Sequence, residues 1–334
     1  MKRLIALALL AAAAGGCAVI SVPLSLSSHE VELREFEMKP AKGYFVTHKI
    51  LLLDITGAIS GEPSSGWLSE SPSTLADIRD ALDKAEKDDR IKAVILRINS
   101  PGGEVTASDA IYDQIRRFKR ARAEAGKPVV VIASMLSVGA SGGYYVALAA
   151  DKIYAHPTTI TGSIGVVAMF PKLAELTRKI GVDVRVIKSA DKKDIGSMWR
   201  DFTPDEQKIL QDSIDEMFER FIAVVAENRP GLTKESVRRL ADGRIYTAKQ
   251  ALENHLIDEI LYLDDAMERA KSQARIPDAS VVTYRRTSDF RGGIYSRSAP
   301  VAPHASPQIN LLQVNADGLF GPLRQPGFYY LWMP

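Results

Sequence analysis

The sequence predicts an α/β fold with a mostly parallel sheet, on three observations. Its strand-like runs, KILLLDIT, IKAVILRI and PVVVIAS, are apolar at consecutive positions, as strands covered on both faces are. Segments with helical spacing lie between them. Strand and helix alternate along the chain, which calls for crossovers above and below a parallel sheet. A length of 334 residues allows a sizeable core, and 46% hydrophobic with 25% charged residues is a globular composition. The net charge of +2 argues against a dedicated nucleic-acid binder, so no nucleic-acid partner is expected.

Taken in order, MKRLIALALLAAAAGGC opens with Lys2 and Arg3, continues apolar from Leu4 to Ala14 and ends on small residues before Cys17. Residues 1–16 read as a secretory signal and Cys17, the only cysteine, as a lipidation site. Residues 17–47, interrupted by Pro23, Pro40 and Gly43, read as a tether. From Lys49 a buried strand runs to Gly57, and GEPSSGWLSESPS is a surface loop. LADIRDALDKAEKDD is a helix with Leu75, Ile78, Leu82 and Ala85 on one face. IKAVILRI is the second strand, ended by the turn Asn99-Ser100-Pro101-Gly102-Gly103, and residues 106–124 are a helix. After the third strand, PVVVIAS, a helix opens at Ser141, followed by the strands KIYAH and VDVRVI. Thr203-Pro204-Asp205-Glu206 is a capping box that starts a helix to about Asn228. Thr247-Ala248-Lys249-Gln250 is a second one, heading a short helix toward His255. The tail from about residue 285 is rich in Ser, Pro and Gly and is expected to be loosely ordered. Its end, GFYYLWMP, is too aromatic for a linker and is expected to dock on the body or on a neighbour.

Open α/β sheets bind ligands at the carboxyl ends of their strands, and two glycine-marked turns fall there. Pro101-Gly102-Gly103 is either a tight turn or a set of bare N–H donors for an oxyanion. Gly139-Ala140-Ser141-Gly142-Gly143 serves either close packing or approach to a nucleophilic serine. A serine nucleophile needs a base. Of five histidines, His29 and His48 fall in or beside the tether, His304 in the tail and His255 at a polar helix end. His156, just after a strand, is the one placed near the sheet edge, with no orienting carboxylate evident. A desolvated lysine is the other option. KSADKKDIGS concentrates three lysines after VDVRVI, and its spacing alone fits a solvated basic loop equally well.

Together NSPGG at 99–103, GASGGYYVALAADKIYAHPTTITGSIGV at 139–165, KKDIGS at 192–197 and ADGRIYTAKQAL at 241–252 resemble the signal peptide peptidase A family, in consistent order over residues 48 to 270. These are membrane-associated Ser–Lys peptidases, and one core copy corresponds to the short form. The resemblance implies a Clp/crotonase-like fold of repeated β-β-α and βα units with a helical C-terminal extension. It also implies a peptidase domain at 48–275 and a partly disordered tail at 276–334. Ser141 would be the nucleophile and Lys193 the base, with Lys192 one residue away as the alternative. Gly103 and the N–H of Gly142 would form the oxyanion hole, and Ser163 would orient the lysine. No cofactor or metal is implied. The expected partners are remnant signal peptides, cut after small or apolar side chains, membrane lipid, and further copies in a ring where Ser141 of one subunit meets Lys193 of the next. The expected place is the bacterial envelope, lipid-anchored, with the catalytic domain outside the cytoplasm. Two features depart from the family: His255 stands where glycine is usual, and a lipoprotein-like start replaces a transmembrane anchor. The alternatives are a crotonase-like acyl-CoA enzyme and a catalytically silent membrane-ring assembly protein.

Overall fold

The computed structural model describes residues 33–43, 45–62, 64–66, 69–71, 73–286, 293–295 and 327–332. The expected signal, Cys17 and most of the expected tether and tail lie outside these residues. The first half of the chain runs β1 (Arg34–Lys39), β2 (Lys49–Thr56), β3 (Ser64–Gly66), β4 (Ser69–Ser71), α1 (Thr74–Glu86), β5 (Ile91–Ser100), β6 (Gly102–Glu104), α2 (Val105–Glu124) and β7 (Val130–Ala140). It continues with α3 (Gly142–Ala147), β8 (Lys152–Ala155), β9 (Ile160–Gly162), β10 (Val167–Met169) and α4 (Ala174–Lys179). The remainder is α5 (Pro204–Asn228), α6 (Lys234–Leu240), β11 (Ile245–Thr247), α7 (Ala248–Glu253), β12 (Glu259–Ile260), α8 (Leu263–Gln273), β13 (Ser280–Arg285) and β14 (Gly327–Leu331).

Nine strands form one sheet in the order β1-β13-β2-β5-β7-β8-β12, with β9 on the far end of β7 and β11 on β9. Pairing is parallel from β13 through β12, and antiparallel only for β1 on β13 and β11 on β9. This is the expected mostly parallel α/β sheet. The apolar runs are two-faced because successive side chains point to opposite sides. Leu51, Leu53, Val94, Leu96, Val131 and Ala133 face α1, α2 and α3. Ile50, Leu52, Ala93, Ile95 and Ile132 face α8 through Leu263, Ala266, Met267 and Ala270. Cutting one such buried Leu or Ile to Ala costs about 2–5 kcal/mol.

Both predicted capping boxes are present: Thr203 accepts from the N–H of Glu206, and Thr247 from that of Gln250. Three expectations are corrected. Residues 34–39, read as tether, pair with β13, itself placed beyond the expected 48–275 domain. The sheet closes on antiparallel edge pairing between distant segments, which no local pattern encodes. Within the expected loop, β3 and β4 pair as a hairpin. VDVRVI forms no strand: residues 182–187 are exposed and pair with no strand among those described.

Candidate active site

β7 ends at Ala140, paired with Gly162 at the end of β9. The next residue on each strand is a serine in an unusual conformation. Ser141 has φ 51° and ψ −116°, and Ser163 has φ 50°. Among the described non-glycine residues only His255 and Arg275 also have positive φ. A side chain at such angles costs about 1–3 kcal/mol, so surrounding bonds must impose them. The N–H of Ser141 donates to Gly162 O at 2.8 Å, that of Ser163 to Arg244 O at 2.8 Å, and Ser141 O accepts the first bond of α3 from Tyr145 at 2.8 Å. Tyr144 and Tyr145 anchor α3: Tyr144 donates its hydroxyl to Leu256 O at 2.8 Å, and Tyr145 donates to Asp109. Neighbouring strands lie about 4.8 Å apart, so the two serines stand at adjacent strand ends. That is where an open parallel sheet puts a ligand.

Ser141 is 1% exposed, and its Oγ has no hydrogen-bond partner among the described residues. A buried hydroxyl without a partner costs about 1–3 kcal/mol and calls for an explanation other than packing. The glycines beside it divide into two kinds. A Cβ on Gly143 would fall 2.7 Å from Ser100 O, so this glycine lets α3 lie against the end of β5. A Cβ on Gly142 would fall 2.5 Å from Ser108 Oγ, 3.1 Å from Tyr330 O and 3.2 Å from Gly102 Cα. Gly102 has φ 102°, and a Cβ on it would collide with Tyr330 O and fall 2.6 Å from Gly142 N. The backbones of Gly102 and Gly142 therefore approach each other beside Ser141, in space only two glycines leave open. Gly102 belongs to the Pro101-Gly102-Gly103 turn that the sequence marks as a candidate donor site. Its turn was legible; its left-handed φ was not.

Among the described residues Ser141 Oγ has no hydrogen bond to Lys193. Lys193 sits exposed in the turn 191–196, with no ion pair among the described residues. Lys192 is 3.5 Å from Asp205. Asp194 pairs with Lys188 at 2.7 Å and with Arg200 at 2.6 Å. Hydrogen bonds from Arg200 and then Lys188 hold its carboxyl well below the usual carboxylate range. Arg200 also pairs with Glu206, which that bond lowers to about 2. Ser163, 8% exposed, has no side-chain hydrogen bond to Lys193 or Ser141. His156 does not serve Ser141 either. It packs edge-on to Tyr262, its buried Nε2 is unpartnered, and burial lowers its pKa.

The sequence profile of peptidase family S49 matches residues 121–277, and that of Clp protease matches residues 70–164. A putative signal peptide peptidase SppA from Enterococcus faecium is 33% identical over 237 residues, covering 71% of this chain and 67% of that protein. The putative protease slr0021 of Synechocystis is 38% identical over 231 residues, covering 69% and 76%. The chloroplastic serine protease SPPA of Arabidopsis thaliana is 37% identical over 195 residues, which are 58% of this chain and 28% of that longer protein. The parallel sheet and the Clp match together place the fold in the Clp/crotonase-like class. By relatives of this identity spanning two thirds of both chains, the protein belongs to peptidase family S49, as a serine protease of the signal peptide peptidase A kind.

Proposed function

We propose that the protein is a membrane-attached endopeptidase in which Ser141 attacks the scissile carbonyl and Lys193 of a neighbouring copy takes its proton. The observation that carries this reading is Ser141 itself: a buried hydroxyl with no partner, held at a costly φ beside the converging backbones of Gly102 and Gly142. Backbone N–H groups there, with Gly103, stabilise the oxyanion; removing one such donor costs about 100- to 1,000-fold in rate. Lys193 accepts the Ser141 proton, passes it to the leaving amine, and then activates the water that clears the acyl-enzyme. Ser163, at the neighbouring strand end, orients the amine without adding charge.

Two features favour a base supplied by a second copy. Lys193 is free of ion pairs among the described residues, whereas Lys192 is engaged with Asp205. The preceding segment exposes Val182, Val184, Val186 and Ile187, the last 99% exposed. Alternate valines with strand spacing and no strand neighbour are what an inter-subunit contact would bury. Among the described residues no helix is long and apolar enough to cross a membrane. Attachment through a lipidated Cys17, outside the described residues, fits the leader sequence and places the domain beside remnant signal peptides as substrates.

A fluorophosphonate probe followed by peptide mapping tests the nucleophile. Label on Ser141, lost in Ser141→Ala together with all peptide hydrolysis, is the expected result. Hydrolysis by Ser141→Ala near the wild-type rate would end the reading.

A further inference from the structure

The glycine turn beside Ser141 is gripped by a second serine. Ser100 is the last residue of β5 and is fully buried. Its Oγ accepts the N–H of Gly102 at 3.1 Å and donates to Gly57 O at 2.6 Å. A hydroxyl has one hydrogen to give, so the longer approach to Gly102 O, at 3.5 Å, goes without it. Backbone bonds lace the same turn to the residues that follow β2. The N–H of Gly57 donates to Asn99 O at 3.1 Å, that of Ile59 to Gly102 O at 2.9 Å, and that of Glu104 to Ile59 O at 2.9 Å.

These bonds fix one peptide unit. The N–H of Gly103 lies in the same plane as Gly102 O and points the opposite way. Ile59 holds that plane at its oxygen, from the far side of Gly102. On the near side Pro101 has no N–H, so that of Gly102 is the first donor the turn offers, and Ser100 takes it. Gly102 stands between these two holds at φ 102°, where a glycine backbone is free to swing. Ser100 also touches the other wall of the site. A Cβ on Gly143 would fall 2.7 Å from Ser100 O and 3.3 Å from Ser100 Cβ, so the same residue abuts the start of α3, next to Gly142.

We propose that Ser100 is a positioning residue for peptide cleavage: its hydroxyl sets the Gly102–Gly103 peptide at the angle from which the Gly103 N–H meets the oxyanion formed at Ser141. The inference rests on the reading of Ser141 given above. Ser100 touches no reacting atom and acts through Gly102. Its effect belongs to the transition state, in which the carbonyl oxygen carries charge, and not to the binding of the uncharged substrate. Without the hydroxyl, Gly102 N–H and Gly57 O lose their buried partner and the turn is free to rotate. A misplacement of about 1 Å costs about 100-fold in rate.

The test uses the full chain carrying Ser100→Ala or Ser100→Thr, with two readouts. Steady-state peptide hydrolysis separates kcat from KM. Amide exchange at Gly102 reports the hydrogen bond itself and does not depend on Ser141. In Ser100→Ala the expected kcat is lower by about 10- to 100-fold, with KM within about twofold of wild type. Exchange at Gly102 should be at least about tenfold faster and that in β7 and α2 unchanged. Ser100→Thr keeps the oxygen and should recover most of the lost kcat together with the protection of Gly102. An unchanged kcat in Ser100→Ala, alongside a dead Ser141→Ala, overturns the proposal and leaves the nucleophile in place. A loss carried by KM, a Ser100→Thr no faster than Ser100→Ala, or faster exchange throughout the molecule overturns it too, since each assigns Ser100 to binding or to the core. Faster exchange confined to the turn, with Ser141→Ala still cleaving near the wild-type rate, keeps the hydrogen bond but removes the Ser141 reading and the role of Ser100 with it.

Discussion

Ser141 shows what a single position can hold against its own stability. The angles φ 51° and ψ −116° lie outside the wells open to L side chains and suit glycine. His255 has φ 58° and an exposed side chain; its backbone carbonyl accepts from Arg229 at 2.8 Å. The positive φ at His255 suits glycine, and its exposed side chain makes no hydrogen bond or ion pair among the described residues. The two sites should respond alike in stability and differently in function. Ser141→Gly should be inactive yet about 1–3 kcal/mol more stable than Ser141→Ala, because only glycine relieves the backbone. His255→Gly should keep full activity and gain up to about 1 kcal/mol. Thermal unfolding with an activity assay checks both, and a Ser141→Gly protein no more stable than Ser141→Ala would mean the strain is not there. The serines were legible as motif positions. That Ser141 and Ser163 both take a positive φ at adjacent strand ends required the β7–β9 register.

At the level of elements, legibility followed the range of the interactions that make each one. β2, β5 and β7 were readable because burial on both faces writes itself into every residue, and α1 and α5 because caps and spacing are local. β1, β13 and β14 depend on partners far along the chain, and the pairing of β14 with β6 joins segments more than two hundred residues apart. VDVRVI carries the right alternation for a strand but has no strand partner among the described residues, so pattern alone overcalled it. What holds this stretch is the Asp194–Arg200–Glu206 cluster, with Thr203 N–H also donating to Glu206 at 2.9 Å. Both carboxyls are depressed in the folded state, so their contribution is complete above the ordinary carboxyl value of about 4. It is lost as the pH falls toward about 2, where Glu206 takes up its proton. An acid protease at about pH 3 should therefore cut first between residues 180 and 203, and Arg200→Ala should bring the same cuts at about pH 5. First cuts elsewhere at low pH would show that the cluster does not secure the segment.

For the whole molecule, the two residues of the proposed dyad share no hydrogen bond among the described residues. Ser141 is buried and lacks a partner, while Lys193 is exposed on a segment whose valines face solvent. A dyad within one chain requires Ser141 and Lys193 of the same copy to meet. A dyad between chains requires a head-to-tail contact, which closes into a ring when the rotation allows. The two arrangements differ sharply when dead variants are mixed. Ser141→Ala and Lys193→Ala should each be inactive alone, as should Lys193→Arg, whose guanidinium keeps its proton. If each site takes its serine from one subunit and its lysine from the next, random assembly of an equal mixture restores about a quarter of the sites, because both contributing neighbours must be the right variant. If both residues come from one chain, every site in the mixture lacks one of them and activity stays at zero. Lys192→Ala, which only removes the pair with Asp205, should leave activity near wild type. The measurement is peptide hydrolysis after the two variants are denatured and refolded together, against each refolded alone. Recovery toward a quarter of the wild-type rate would locate the base on the neighbour, and no recovery in properly assembled material would place it elsewhere.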